Sequence, residues 1–361
     1  MARIHQYHKA NPADQETGKM AINSNTKQSK NEMNFAEFTN AFCVVALVTF
    51  LITSCAGFKN SLLTSQTDKN NCYQPSAKSY TKADLPKPIH TLDIDSTLKN
   101  TFSFQSLHAA NAIGILDLLT EFVHLKKSCS INPTLEKKIK LVELSQNIYK
   151  KINTSSLEIS AIASEMDCEE ERADQIATFI KGKENTIETK LTVSAIVVGA
   201  IGAISAGILL ANNTSENTPE VIGIGTGLIE ATLGILILTN KRKITYYHPR
   251  NALKDIWTAP ETSSIFPAPI WYYLTYENPD KNEKSLRQQL VDKWLGYGQI
   301  ADTKEKKKQK IDNQYFGKGG KYTASQLINR ANMYDQLEAY INLMKQDLRI
   351  LALELEKFIE D

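Results

Sequence analysis

Hydrophobic positions sort the chain into uninterrupted apolar runs, heptad-like seams and polar or aromatic connectors. Three runs are uninterrupted: residues 41–55 (AFCVVALVTFLITSC), residues 191–211 without a charge, and residues 221–239 with one, Glu230. The first is short for a bilayer span; the other two are each long enough to cross a hydrocarbon core as a helix. Between them lies the polar NNTSENTPE, with Pro219 placed to start the second helix. The pair predicts an apolar helical hairpin. Gly199, Ala203 and Gly207 recur every four residues in one helix, and Gly223, Gly227 and Ala231, followed by Gly234, in the other. Such spacing predicts a small-residue stripe on which the two backbones pack closely, the logic of GxxxG association. The hairpin either enters lipid or lies buried in a helical bundle. Glu230 falls near the small-residue face. It is a candidate intramembrane functional carboxylate, or else a group that pairs at the packed seam.

The seams predict long helices. Residues 104–127 read as one helix, after which Asn132 caps a restart with Pro133 in first position. From residue 134 to 180 there is no Pro or Gly, and Ile148, Ile152, Ile159, Ile162, Met166, Ala173, Ile176 and Ile180 hold a heptad-like register interrupted by Ser155 and Glu169. Near the C-terminus Leu337, Ile341, Met344, Leu348, Leu351, Leu355 and Phe358 step by four and three, behind a Thr323–Gln326 capping box. The fold class expected is mainly α: long antiparallel helices, a glycine-striped apolar hairpin, and an aromatic, Pro-rich irregular segment.

That segment, residues 244–276, carries Tyr246, Trp257, Phe266, Pro267, Pro269, Trp271, Tyr272 and Tyr273. A loop pinned onto the body ranks first for it, an interfacial aromatic belt second and a ligand site third. Residues 286–297 predict a short helix, and KEKKKQK at 304–310 a solvated turn. Residues 59–99, rich in Ser, Thr, Asn, Lys and Pro, read as a flexible tether, since they hold too little apolar surface to offset the entropy of ordering.

Composition narrows the function. Lys and Arg number 42 against 40 Asp and Glu, so no global field favours nucleic acid. Only seven of those bases are Arg, the residue that phosphate and carboxylate clamps usually require. The six His make no metal-ligand spacing, no GxSxG elbow exists, Asp93 and Asp95 lack a partner carboxylate, and Gly317-Lys318-Gly319-Gly320 lacks the spacing of a phosphate loop, reading as a flexible one. No catalytic residue, metal or cofactor is expected. The expected partners are membrane lipids and a protein or second copy met through the helices.

The first apolar run follows Lys27 and Lys30 and ends in Ile52-Thr53-Ser54-Cys55. This end resembles the lipobox of bacterial lipoproteins: an aliphatic residue, two small residues, then Cys. The resemblance implies cleavage before Cys55, a lipid on its thiol, and attachment to a membrane of the cell envelope, on the periplasmic side or in the outer membrane. Long helices interrupted by one apolar hairpin also resemble the plan of α-helical pore-forming toxins, which implies membrane permeabilisation as the alternative. The organisation expected is a leader at 1–54, a tether at 55–100, a helical region at 101–190, the hairpin at 191–240, the aromatic segment at 241–320 and a long helix at 321–361.

Charges flanking the hairpin complicate its topology. Lys181, Lys183 and Lys190 precede it, Lys241, Arg242 and Lys243 follow it, and its connection carries Glu216 and Glu220. The positive-inside rule would place both flanks in the cytoplasm, whereas a lipobox exports the preceding region. Both hold only if the hairpin inserts later from the periplasmic side, or stays folded within a soluble body. With Cys43 in the leader and Cys55 acylated, Cys72, Cys129 and Cys168 remain. A straight helix from residue 134 sets Cys129 and Cys168 on the order of 50 Å apart, beyond bonding reach. Cys72 could reach Cys168, and that disulfide is the one expected.

Overall fold

One helix runs for 77 residues, Leu135–Ala211, about 115 Å at 1.5 Å per residue, and the remaining elements are arranged along it. The computed structural model describes Cys72 and residues 80–211, 218–239, 241–248, 250–280, 283–300 and 305–360, all within one unit, Leu62–Asp361. Of these residues 77% are helical and 4% lie in strands, so the chain is mainly α. In order come α1 (Ser96–Thr101), α2 (Phe104–Ala112), α3 (Leu116–Ile131), α4 (Leu135–Ala211), α5 (Thr218–Thr239), β1 (Ile244–Tyr247), α6 (Ala252–Thr258), α7 (Ala268–Thr275), α8 (Leu286–Gly296), α9 (Glu305–Tyr315), β2 (Gly319–Tyr322) and α10 (Ala324–Glu360).

Helix α10 is the main partner of the first half of α4. Tyr149 lies beside Glu356, Lys345 Nζ donates to Ser160 Oγ at 2.8 Å, and Glu170 lies beside Asp335. Position falls on one helix as it rises on the other, so the pair is antiparallel in constant register. The seam residues of α4 from Ile148 to Ile180 are buried, as are those of α10 from Leu337 to Leu355, with Phe358 partly so. Extended upward, that register sets Ala324 opposite Lys181. Helix α10 therefore ends just where the α4 seam ends, at Ile180. The capping box is formed: Gln326 Oε1 accepts from Thr323 N–H at 3.0 Å, and Thr323 Oγ1 accepts from Gln326 N–H at 3.3 Å. Helix α8 covers the stretch predicted as a short helix.

Several expectations are corrected. Residues 104–127 are two helices broken at Gly114, whose φ of +68° is open to Gly at little cost; the break lets α2 lie on α10 while α3 packs on α4. Asn132 terminates α3, and α4 starts from Thr134, whose Oγ1 accepts from Lys137 N–H at 3.3 Å. Residues 305–310 of the charge run are no turn; they form the first half of helix α9. The glycine-rich 317–320 stretch enters β2, paired antiparallel with β1 from Ile244↔Tyr322 to Tyr247↔Gly319. A Cβ at Gly319 would strike the Tyr246 carbonyl, so only glycine allows this approach. Of the boundaries that fall on described residues, 100/101, 190/191 and 320/321 lie inside α1, α4 and β2.

The region read as a tether is also partly built into the body. From residue 80 onward it forms two 3-10 turns and α1, with Ile89 and Leu98 buried. Its hydrogen bonds reach far along the chain. Tyr80 Oη accepts from Ser263 N–H at 3.0 Å, and Tyr272 Oη accepts from Ile89 N–H at 3.1 Å and Asn111 Nδ2 at 2.9 Å. Composition registers few apolar residues here but not where each is received. Cys72 is disulfide-bonded to Cys168 of α4 with Cα atoms 5.5 Å apart, the pairing expected from reach; Cys129 is a buried free thiol.

Candidate functional site

Above Ile180 helix α4 loses α10, and among the described elements α5 is its main neighbour. The two run antiparallel: Gly199 faces Glu230, and Glu184 Oε1 accepts from Arg242 N–H at 2.6 Å. Most of the described large apolar side chains point outward. Val193, Ile196, Val197, Ile201 and Ile204 on α4 and Leu228, Ile235 and Leu238 on α5 are at least half exposed, Leu238 by 78%. Among the described residues α4 is the one helix long and apolar enough to cross a membrane, and 6% of its most apolar 18-residue stretch is buried. Burial of the hairpin in the bundle core is thereby corrected for the described residues. The partner helix stops at its level, and nothing else in the described body covers it. Soluble surfaces rarely leave an apolar patch of this extent unpaired.

The glycine stripe is only partly a contact line. A Cβ at Gly199 would collide with the Glu230 carboxylate, whereas Gly227 and Gly234 have open space above them, and Ala203 and Ala231 are exposed. Gly202 and Leu233, outside the predicted stripe, are buried. Each four-residue step turns about 40° past a full turn, so members of the stripe rotate off the seam unless the helices coil to follow them. The surroundings of Gly207 and Gly223, and Cys55 with residues 1–71, lie outside the described residues. Glu230 is exposed beside Gly199, near the predicted small-residue face.

Roughly 30–40 Å further down α4, a polar cluster clamps the chain that returns from the hairpin. Arg250 donates from Nε and Nη2 to the Glu165 carboxylate at 2.6 and 3.3 Å, and to the Ser264 and Ile265 carbonyls at 3.1 Å. Burial nonetheless holds the Glu165 carboxyl above its ordinary range. One turn on, Glu169 accepts from Arg172 at 2.7 Å, and the Arg172 guanidinium carbon lies 4.8 Å from the centre of the Tyr246 ring. Arg330 of α10, fully buried, approaches the same ring at 5.9 Å. It donates to the Tyr315 carbonyl at 3.0 Å, to Asn251 Oδ1 at 3.2 Å and to Tyr334 Oη at 3.1 Å. Burial opposes its charge, but Tyr334, Tyr246, Tyr322 and Glu169 more than offset this and hold the guanidinium above its usual range. His248, 3.1 Å from the Gln314 carbonyl, is pushed down to about 2 by burial and by Arg330. The cluster ties β1, β2 and α10 to α4 beside the Cys72–Cys168 bridge. The sequence reading flagged Glu169 as a break in the seam and missed Arg330. The missed signal was scarcity itself: of seven Arg, three (Arg172, Arg250 and Arg330) sit in this clamp.

The aromatic segment is largely pinned, as ranked first, with Tyr246, Phe266, Trp271, Tyr272 and Tyr273 buried. It is less irregular than expected. Pro267 caps α7 and Pro269 falls in its first turn, where a missing N–H costs nothing. Among the described residues no group of three or more His, Cys, Asp or Glu is close enough together to hold a metal ion. No protein-family model, curated protein or solved structure matches the chain.

Proposed function

We propose that this protein is a lipoprotein of the bacterial cell envelope whose helical body presents the α4–α5 hairpin to a membrane, in a structural or interaction role without catalysis. One observation carries the reading: a single unbroken helix passes from a buried heptad seam into a stretch apolar on every side and exposed. In water that surface is unfavourable by about 25 cal/mol per Å² of apolar area, and a hydrocarbon core about 30 Å thick matches the roughly 32 Å of residues 191–211. The Cys72–Cys168 bridge supports an oxidising compartment and thus export. The lipobox-like Ile52–Cys55 supplies a second, covalent attachment.

Flotation of the full chain with liposomes tests the docking. In a Cys55→Ala background, which carries no acyl group, the chain with an intact hairpin should float and an Ile196→Asp/Ile235→Asp variant should float markedly less; equal flotation of both removes the hairpin from the reading. Dye release in the same assay separates a docked scaffold, which leaves vesicles sealed, from a permeabilising protein. Intact mass beside Cys55→Ala tests the lipid: acyl mass on the wild type alone is expected.

A further inference from the structure

The body of the hairpin is apolar, but its root is not. Lys181, Lys183 and Lys190 on α4 and Lys241, Arg242 and Lys243 after α5 are all exposed. They are far apart in the chain and are drawn to one level by the bond from Arg242 N–H to the Glu184 carboxylate. The only acids in these two stretches are Glu184 and Glu188, so six bases face two carboxylates. The α4 part spans about 14 Å, close to the Debye length of about 8–10 Å at ordinary salt, so the charges act together on a nearby surface. An exposed aromatic ring stands at the same level, Phe179, with Lys183 Nζ 5.4 Å from its ring centre. The far end of the hairpin has the opposite sign, with Glu216, Glu220 and no base.

We propose that these six bases form a collar that selects bilayers with anionic headgroups and sets the depth to which the hairpin enters. The proposal rests on the membrane reading above and gives it a lipid class. With residues 191–211 spanning the hydrocarbon, the collar lies in the headgroup layer, where Lys and Arg side chains reach phosphate and aromatic rings are favoured. Lowering it further would carry six charges into hydrocarbon, so it acts as a stop. A juxtamembrane base near an anionic surface contributes about a fivefold gain in partitioning.

The test compares flotation of the full chain, with Cys55→Ala in every sample so that no acyl group adds its own binding, with vesicles of phosphatidylcholine alone and of phosphatidylcholine containing phosphatidylglycerol, at low and high salt. The wild type should prefer the anionic vesicles by about a hundredfold or more at low salt, and lose most of that preference at high salt. Replacing the six collar bases by Gln should leave the two vesicle types bound within about fivefold of each other. Replacing Lys138, Lys140, Lys150, Lys151, Lys254 and Lys357, exposed bases elsewhere on the body, by Gln matches the change in net charge and should keep the preference. Equal wild-type binding to both vesicle types, or a preference that survives collar neutralisation, overturns the collar and leaves the hairpin reading standing. Absence of wild-type binding to either overturns both.

Discussion

Helix α4 is two helices in physical terms, joined without a break. Below Ile180 it carries one apolar stripe, buried against α10, and its charged residues either face solvent or enter the Glu165–Arg250 and Glu169–Arg172 pairs. Above Lys190 it is apolar on all sides and accompanied mainly by α5. The lower half buries its seam inside the protein, with Leu135, Ile139, Val142 and Leu157 left exposed; the upper half leaves its apolar surface outside on the described sides. A helix apolar on one stripe is complete once that stripe is covered, whereas one apolar all round stays incomplete until its surroundings are apolar too. Water is the medium the first half is built for, and hydrocarbon the second.

Substitutions in the two halves should therefore report in different assays. The largest stability effect belongs to the clamp. Arg330→Met leaves Glu169 buried with one guanidinium fewer and Asn251 without its donor, and should cost about 3–5 kcal/mol in urea unfolding; a loss below about 1 kcal/mol would mean that the cluster does not hold the lower half together. Next, Cys72→Ser opens a bridge between residues 96 apart in sequence and should cost about 3 kcal/mol, reproduced by a reductant in the wild type and absent when reductant is added to the variant.

A smaller effect concerns pH. Burial lowers His108 to about 4, and burial with Arg330 lowers His248 to about 2. Both are neutral in the folded body, while their unfolded counterparts protonate below about 6.5. The unfolded chain then binds more protons, so stability is unaffected above that value and falls as pH drops through it. Between pH 7 and pH 5 each imidazole should remove about 2 kcal/mol. His108→Phe, which keeps a ring packed against Tyr273 and Tyr276, should halve the loss; an unchanged pH profile would place His108 outside the titration. Least of all, Ile201→Ser should change the unfolding midpoint of the body by under about 0.5 kcal/mol in water, yet reduce flotation with liposomes. If it destabilised the body as much as truncating a buried seam residue does, at about 2–5 kcal/mol for Ile341→Ala, the two halves would be one cooperative core after all.

The seams were legible because helix period is a local property. The positions from Ile148 to Ile180 and from Leu337 to Leu355 name their own buried face, and Thr323 with Gln326 names its own cap. Other features were not local. The pinning of residues 80–100 depends on Tyr272, Ser263 and Asn111, far away in sequence, and a composition window cannot see them. The β1–β2 pair joins Ile244 to Tyr322 across 78 positions, through a glycine whose role is to let the Tyr246 backbone come close. Arg330 looked like one more polar residue on a helix until Tyr246, Asn251 and Tyr334 were gathered round it.

Sequence by itself determined the two seam helices and the apolar hairpin, the faces those seams bury, and that Cys72 but not Cys129 could reach Cys168, because these follow from residue period, side-chain chemistry and chain length. Only the tertiary structure decided that the apolar hairpin stands outside the bundle and that Gly199 makes room for Glu230. It alone brought six distant bases to one level. Those outcomes rest on where α10 stops along α4, a matter of register between two helices, and register is set by contacts between residues that no single stretch of sequence contains.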